Sequence, residues 1–462
     1  MRMKADIPQK ILRLSRKFAT NPRPVVTLEQ SVSEAIENKE IKPRHHPGIL
    51  KLGPVQLPEQ IQRAVQVAVQ EHSLKTLCEQ AEALNNYLKG RRPPPDAEEI
   101  KSKTALAESI VQNKYGIENP LFGVEEKEFF REKYKGLVQK VLKQHLYKWQ
   151  SIEYDKTKSL VYLIGRSAAE YAVLFRIMKE ISKRVPEFQP KSLLDFGSGV
   201  GTAIWAVNSV WRETMKEYFC VDSSRDMNEI SSLIVRDGNA NKDLPKGIFY
   251  RQFLPASHTI KFDIVISAYS LLELPSTEVR LETVRNLWSK ALRYIVFVEQ
   301  GTNAGFQVVN EARDYILHLA ENASERLPMP KAHIFAPCPH DHSCPRAFED
   351  KTPCNFEVTY ESLPIGNRGK LKKELFSYVV LAKGSRHSDD AQWPRIVRPT
   401  LVRSRHTICR MCTASGKLTE VIFTASKHGK IAYRCARASK WGDLFPVNLL
   451  ESEMNSEVNA EN

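Results

Sequence analysis

One stretch limits the fold of this chain more than any other: SLLDFGSGVGTAIWA, Ser192 to Ala206. An apolar run ends on Asp195, glycines follow at Gly197, Gly199 and Gly201, and a helix-forming run begins at about Gly201. Glycine is needed where backbone takes positive φ or comes close to a ligand. The free N–H groups of the next helix face such a loop. A strand turning through glycines into a helix is the first half of a βαβ unit, and the unit repeats. Apolar runs at 192–196, 218–221, 248–250, 262–268 and 294–298 alternate with helix-length segments near 201–212, 224–235, 276–290 and 304–322. Strands alternating with helices predict a doubly wound parallel sheet. Leu375–Ala382 returns to strand character and could close it.

Asp222 ends the second strand, 21 residues past Gly201. An acid there can accept both ribose hydroxyls of an adenosine ligand. The spacing D-x-G-x-G-x-G departs from the dinucleotide pattern G-x-G-x-x-G. It resembles the S-adenosylmethionine loop of class I methyltransferases. The resemblance implies that Asp195, Gly197, Ser198, Gly199 and Gly201 meet the methionine part and Asp222 the ribose. It also implies that the segment after strand four, FDIVISAYSLLEL, lines the active site, with Asp263, Ala268 and Tyr269 at matching places. The alternative is a tight strand-to-helix turn with no ligand. Fold is not activity. Transfer to a base nitrogen often uses Asn-Pro-Pro-aromatic after strand four, where this chain has Ala268-Tyr269-Ser270-Leu271. Transfer to cytosine C5 needs a cysteine nucleophile, and none lies between Cys220 and Cys338. Tyr269 or Glu273 could contact substrate or simply pack, so no catalytic residue is assigned.

The sheet domain is expected over 186–385, and 28–185 reads as a helical N-terminal region. Apolar residues from Leu57 to Leu88 recur at helical spacing until Gly90, Arg91-Arg92 and Pro93 to Pro95 break the pattern. Helices are also expected over about 124–150 and 158–184. Residues 1–27 carry seven basic side chains and one acid, Asp6. This Arg-rich, acid-poor segment reads as a mitochondrial transit peptide or an ordinary basic arm, and no apolar core of a secretory signal is present.

Charge placement suggests a partner. Of the 462 residues, 68 are Lys or Arg and 54 Asp or Glu, a net charge of +14. Between Lys383 and Gly442 alone there are 13 basic residues and 3 acids. Such a segment is the footprint of phosphate backbones. Trp393, Tyr433, Trp441 and Phe445 are interleaved with the cations and could stack on bases. The segments LTEVIFTAS and IAYRCARAS read as strands and turns, giving a basic β-rich RNA-binding module over 386–447 and a disordered tail over 448–462. A 42% hydrophobic chain is not mostly disordered. No run approaches the ~18 apolar residues of a membrane span, so no membrane partner is expected.

Eight cysteines are too few for a disulfide scaffold. Cys78 and Cys220 sit inside helix and strand patterns as small buried side chains, and Cys435 is alone. Cys338, Cys344 and Cys354 lie in APCPHDHSCPRAFEDKTPC, within a Pro- and Cys-rich insertion at 327–355 without clear periodicity. Cys409 and Cys412 form a C-x-x-C. Three cysteines of one loop with one from the C-x-x-C make a four-thiolate site that would pin the basic module to the sheet. Four thiolates suit zinc or an iron–sulfur cluster, His340 and His342 keep Cys/His zinc open, and a metal-free site is the remaining reading.

With LLDFGSGVGTAIWA, VEQGTNAGF at 298–306, APCPHDHSCP, the run at 393–396, the C-x-x-C and YRCARASKWGDLFPV at 433–447, the chain resembles the methyltransferase-like protein 17 family of mitochondrial small-ribosomal-subunit assembly factors. The resemblance implies an α/β class I methyltransferase (Rossmann-like) fold, a mitochondrial matrix location and binding to small-subunit rRNA and the small-subunit precursor. It implies a [4Fe–4S] cluster on Cys338, Cys344, Cys354 and Cys412, with Cys409 as the reserve for Cys412. S-adenosylmethionine binding is expected, with rRNA methylation, or a zinc-bound protein with an inert methyltransferase fold, as alternatives.

Overall fold

The computed structural model describes residues 25–115, 124–257, 259–323, 330–350, 352–365, 370–387 and 390–450. The transit segment lies outside them except for its last three residues.

The N-terminal part consists of strand β1 (Val25–Leu28) and helices α1 (Gln30–Glu37), α2 (Glu59–Val69), α3 (Leu74–Lys89), α4 (Ala97–Tyr115), α5 (Val124–His145) and α6 (Lys156–Arg184). The apolar run 57–88 forms two helices because the polar stretch Gln70–Ser73 interrupts it. Helix α6 starts on Asp155, whose carboxylate accepts the Lys158 N–H at 2.8 Å. Most of α6 is buried, because it lies between the N-terminal helices and the sheet.

The sheet follows in βα alternation: β2 (Ser192–Phe196), α7 (Thr202–Trp211), β3 (Glu217–Val221), α8 (Arg225–Val235), β4 (Ile248–Arg251), β5 (Phe262–Ala268), α9 (Thr277–Lys290), β6 (Ala291–Gln300), α10 (Asn303–Glu321), β7 (Ala332–Ala336), β8 (Phe356–Glu361) and β9 (Leu371–Lys383). The spatial order is β4-β3-β2-β5-β6-β9-β7, with β8 also on β9. The five βα strands are parallel, and β9 runs antiparallel to β6, β7 and β8. Order reverses between β2 and β5, so a crevice opens at their C-terminal ends. One face is covered by α6, α7 and α8 around Trp205 and Ile264. The other is covered by α9 and α10 around Trp288 and Phe297. The cysteine-rich insertion is more regular than expected. Its residues 332–336 form β7, of which His333–Ala336 are buried at the sheet edge.

The C-terminal module contains β10 (Arg395–Ile396), β11 (Leu401–Val402), β12 (Thr407–Cys412), β13 (Leu418–Phe423), α11 (Ala425–Ala438) and β14 (Val447–Leu450). Three expectations change here. Residues 425–438 are helical, not strand: Thr424 caps the helix through Lys427 N–H, and Ala432, Cys435 and Ala436 face the module core. Gly429 (φ 81) kinks the helix and masks its period in the sequence. The proposed disordered tail begins inside β14, which pairs antiparallel with β1 from Val25↔Leu450 to Leu28↔Val447. The 27/28 boundary falls within β1, and Val32 and Ile36 of α1 join Ile396, Phe423 and Phe445 in one core. Residues 25–37 therefore pack as part of the C-terminal module.

Candidate functional site

The first site lies where β2, β3 and β5 end. Beyond Phe196 the chain turns through Gly197 (φ 70), Gly199 (φ 48) and Gly201 (φ 91). A Cβ on Gly197 would stand 2.5 Å from Cβ of Ser270, and one on Gly201 2.4 Å from Oγ of Ser231. Packing alone requires those two glycines. At Gly199 a Cβ would meet nothing closer than 4.0 Å, and this residue borders a cavity of ≈ 270 Å³. Asp222 receives the loop: Oδ2 accepts Gly199 N–H and Oδ1 accepts Ser224 N–H, both at 2.8 Å. Each oxygen keeps a lone pair for a further donor. Asp195 is 2% exposed and its Oδ2 has no partner among the described residues. Burial, helped by the Asp222 charge, pushes its carboxyl up to about 8. The Ser198 hydroxyl is likewise buried and unpartnered.

The segment after β5 forms the opposite wall. Ala268 and Tyr269 both line the cavity. Tyr269 has φ 57, donates its N–H to Val298 O at 2.7 Å and lies 5.1 Å from the Arg166 guanidinium, with its own hydroxyl unpartnered among the described residues. Glu299 fixes the turn by accepting Leu271 and Leu272 N–H. Glu273 also reaches the cavity and pairs with Arg91 at 2.6 Å, and burial raises its carboxyl to about 7. Asp263 does not belong to the site. It sits at the start of β5, where Oδ2 accepts from Lys191 N, Ser192 N and Ser192 Oγ. Ile152, Tyr154 and Tyr162 close the cavity from the N-terminal region, and sequence reasoning missed them. Ser224 Oγ holds the crossing by donating to Tyr154 O at 2.7 Å. Nothing in the local pattern of 151–162 signals this contact.

Asp195 makes the stability of the fold depend on pH. Its folded carboxyl is raised above the ordinary 3.8, so the fold binds more protons than the unfolded chain between about pH 4 and 8. Stability is therefore lost as pH rises through that window. Asp195→Asn keeps the shape without the ionisation, and its melting temperature should exceed that of wild type by about 3 °C or more at pH 8, with the gap closing toward pH 4. A gap that does not change with pH would refute the assignment.

The second site lies on the seam between sheet and module. Cys338, Cys344, Cys354 and Cys412 line one small cavity with Pro337, Pro345, Phe356, Val397, Leu418, Arg346 and Arg395. Cys338 and Cys344 follow β7, Cys354 precedes β8, and Cys412 ends β12. Burial raises all four thiols, and each carries a further upward push from others of the set except Cys338. Cys344 stands at about 11. Cys409 lies three residues before Cys412 on β12, hence on the other face of the strand, buried with Ile396 and Phe423. All eight cysteines are free thiols. Among the described residues no three His, Cys, Asp or Glu are close enough to hold a single metal ion. His340 Nε2 is 3.2 Å from Cys412 Sγ.

Arg395 secures this seam. Its Nε donates to Pro337 O, Nη1 to Gly442 O, both at 2.8 Å, and Nη2 to Glu180 Oε1 at 2.6 Å. Burial opposes the Glu180 charge, but Arg395, Arg184 and Arg176 together hold its carboxyl down at about 2. Removing one member of a buried pair strands the other. Glu180→Gln should cost about 3 kcal/mol at pH 7. The cost should be full above the ordinary value of 4.5 and vanish as pH falls toward 2. Denaturant titrations of both proteins at pH 7 and pH 3 check this.

The basic module uses some of its cations for structure. Arg395 is buried, Arg398 donates to Thr352 and Asn355, and Arg410 pairs with Glu420. Phe445 is fully buried in the module core and is not available for stacking, contrary to expectation. Arg403, Arg405, Lys427, Lys430, Arg434 and Arg437 are exposed.

The strand order, the antiparallel β9 and the glycine loop joined to Asp222 define a protein of the class I methyltransferase fold. Within that class the chain belongs to the family described as mitochondrial small ribosomal subunit Rsm22, which matches residues 156–446. It is 39% identical over 406 residues to the human mitochondrial ribosome assembly protein METTL17, covering 87% of this chain and 86% of the human one. The mitochondrial ribosome assembly protein RSM22 of Saccharomyces cerevisiae is 23% identical over 411 residues, 60% of this chain and 65% of the yeast one. Among solved structures, a putative class I S-adenosylmethionine-dependent methyltransferase from Listeria monocytogenes aligns with a TM-score of 0.31 at 13% identity, over 71% of this chain and 88% of that one.

Proposed function

We propose that this chain is an assembly factor of the mitochondrial small ribosomal subunit, acting in the matrix and binding small-subunit rRNA through its basic C-terminal module. The observation that carries this reading is the convergence of four cysteines, in a chain of this family, on the seam that holds the basic module to the sheet. The donor set fits a [4Fe–4S] cluster on Cys338, Cys344, Cys354 and Cys412: four soft thiols, apolar walls and two guanidiniums beside them. Bound there, the cluster would supply a rigid cross-link and a local charge. The protein's own part is to release thiol protons, which burial makes costly, and to hold the three segments in register through Arg395. Metal loading should therefore weaken as pH falls.

The first cavity suits S-adenosylmethionine, which would supply a methyl group when bound. Asp222 has lone pairs left for ribose hydroxyls, and Asp195 and Ser198 offer orphaned polar atoms beside Gly199. A second reading, an active rRNA methyltransferase, draws on Glu273, a carboxyl raised to about 7 on the cavity wall. The third, a zinc-bound protein with an inert fold, differs in its metal. Anaerobic purification followed by iron, sulfide and zinc analysis tests the cluster. A colourless protein holding only zinc would overturn it. Assay of small-subunit assembly in deficient cells, restored by wild type, tests the assembly role.

A further inference from the structure

The end of the sheet opposite the glycine loop carries a feature the sites above do not use. Lysine stands immediately before four of the five parallel strands, Lys191 before β2, Lys216 before β3, Lys261 before β5 and Lys290 before β6, and Lys246 stands two residues before the fifth, β4. Lys331 precedes the edge strand β7, and the antiparallel β9 ends at this same edge on Lys383. Taken in spatial order across the sheet, they run Lys246, Lys216, Lys191, Lys261, Lys290, Lys383, Lys331. At about 4.8 Å between strands, the row spans roughly 29 Å.

The backbone holds this row in register. Ser192↔Glu217 and Tyr218↔Ile248 place Lys191, Lys216 and Lys246 side by side, and Phe262↔Ala291 does the same for Lys261 and Lys290. Lys191 O accepts the Lys216 and Glu217 N–H groups, and Lys331 O accepts that of Gly384, next to Lys383. Five of the seven are exposed; Lys383 is half-buried over Trp288, and Lys290 is buried with its ammonium on Pro255 O and Ser257 O. Burial and the Lys261 charge both lower Lys290 and Lys383, a sign of crowded like charge. Among the described residues none of the seven has an ion pair, although Glu187, Glu213, Glu217 and Asp243 lie close in sequence. The carboxylate of Asp263, at the middle of the row, is occupied by backbone N–H groups and Ser192.

We propose that this lysine row is a second phosphate-backbone surface, on which an RNA strand lies along the sheet end opposite the cofactor cavity. It rests on the rRNA-binding reading above but uses a separate face of the molecule. Flexible ammonium groups follow phosphates as point charges without reading sequence. Helix C-termini at this end favour a cation in the last turn, but that effect reaches Lys290 of α9 and does not require a row continued across β2, β3, β4 and β7.

The test uses the full chain and fluorescein-labelled poly(U), since the expected contact ignores sequence. Among the described residues the side chains of Lys191, Lys216 and Lys246 make no hydrogen bond or ion pair, so Lys191→Gln/Lys216→Gln/Lys246→Gln should melt as wild type does. Loss of three contacts should lower the slope of log K against log salt by about 2 and the affinity about 100-fold at ~0.1 M salt. The triple Lys→Arg variant should restore both. A parallel variant, Arg405→Gln/Lys430→Gln/Arg434→Gln, removes exposed cations of the C-terminal module. If only that variant loses affinity, the row is refuted while the rRNA reading stands. If wild type itself shows no salt-dependent binding, the rRNA reading fails and the row falls with it. Vesicles of phosphatidylglycerol form the last arm: loss of vesicle binding with unchanged RNA affinity would assign the row to a lipid surface and overturn the proposal.

Discussion

Cys344→Ser is expected to lose the metal and free the C-terminal module, with metal content falling below about a tenth of wild type. The side chain is 4% exposed, and its thiol, raised to about 11, is neutral when no metal is bound. Serine is nearly isosteric with that neutral thiol, so the metal-free variant should keep the fold of metal-free wild type. The difference should appear only in the loaded protein, as faster proteolysis of 390–450. Cys412→Ser should behave alike, because Cys412 lines the same cavity. Cys409→Ser should retain the metal, because that thiol faces the module core. Retained metal in Cys344→Ser, or equal proteolysis of loaded wild type and variant, would sink the four-thiolate seam.

The second large effect is expected at Asp222. Asp222→Ala should weaken S-adenosylmethionine binding about 100-fold in calorimetry, the loss of two hydrogen bonds to a charged acceptor worth about 3 kcal/mol together. Part of that loss would come from the protein, since alanine also strands the Gly199 and Ser224 N–H groups. Asp222→Asn separates the two causes: its carbonyl keeps one of those bonds and its charge is gone. A variant that binds as tightly as wild type would remove Asp222 from the ligand. In deficient cells, full rescue of small-subunit assembly by a non-binding Asp222→Ala would make methyl transfer dispensable and leave an assembly factor that does not depend on its cofactor. Failure to rescue, with normal protein levels, would favour the enzymatic reading.

Both variants test positions that were legible in the sequence to different degrees. The glycine loop and Asp222 could be read directly, because a positive φ next to a strand end is a local demand and the acid follows at fixed chain spacing. The strands and helices of 192–322 were legible for the same reason: periodicity of 2 against 3.6 is written in neighbouring residues. The helix 425–438 was not, because Gly429 interrupts its period and neighbours such as Phe423 and Phe445 decide which face is buried. For Asp263 the sequence offered a matching place in a motif, and the structure gave it a different task, bracing Lys191 and Ser192.

What the chain determined by itself is the βα alternation, the loop, the cysteine loop 338–354 and the charge of its last part. Tertiary structure alone decided the rest. Cys412 and not Cys409 reaches the seam because one strand has two faces and the partner across it selects one. Tyr154 and Tyr162 close the cavity beside the glycine loop because α6 and the segment leading into it pack across the sheet, and β1 joins β14 across more than 400 residues. Each lysine before a strand is visible in the sequence, yet the row exists only once strand order is set. The physical reason is common to all of these. Backbone preferences and side-chain period act over a few residues, whereas a cavity or a charged row is made by burial and pairing between segments far apart in the chain.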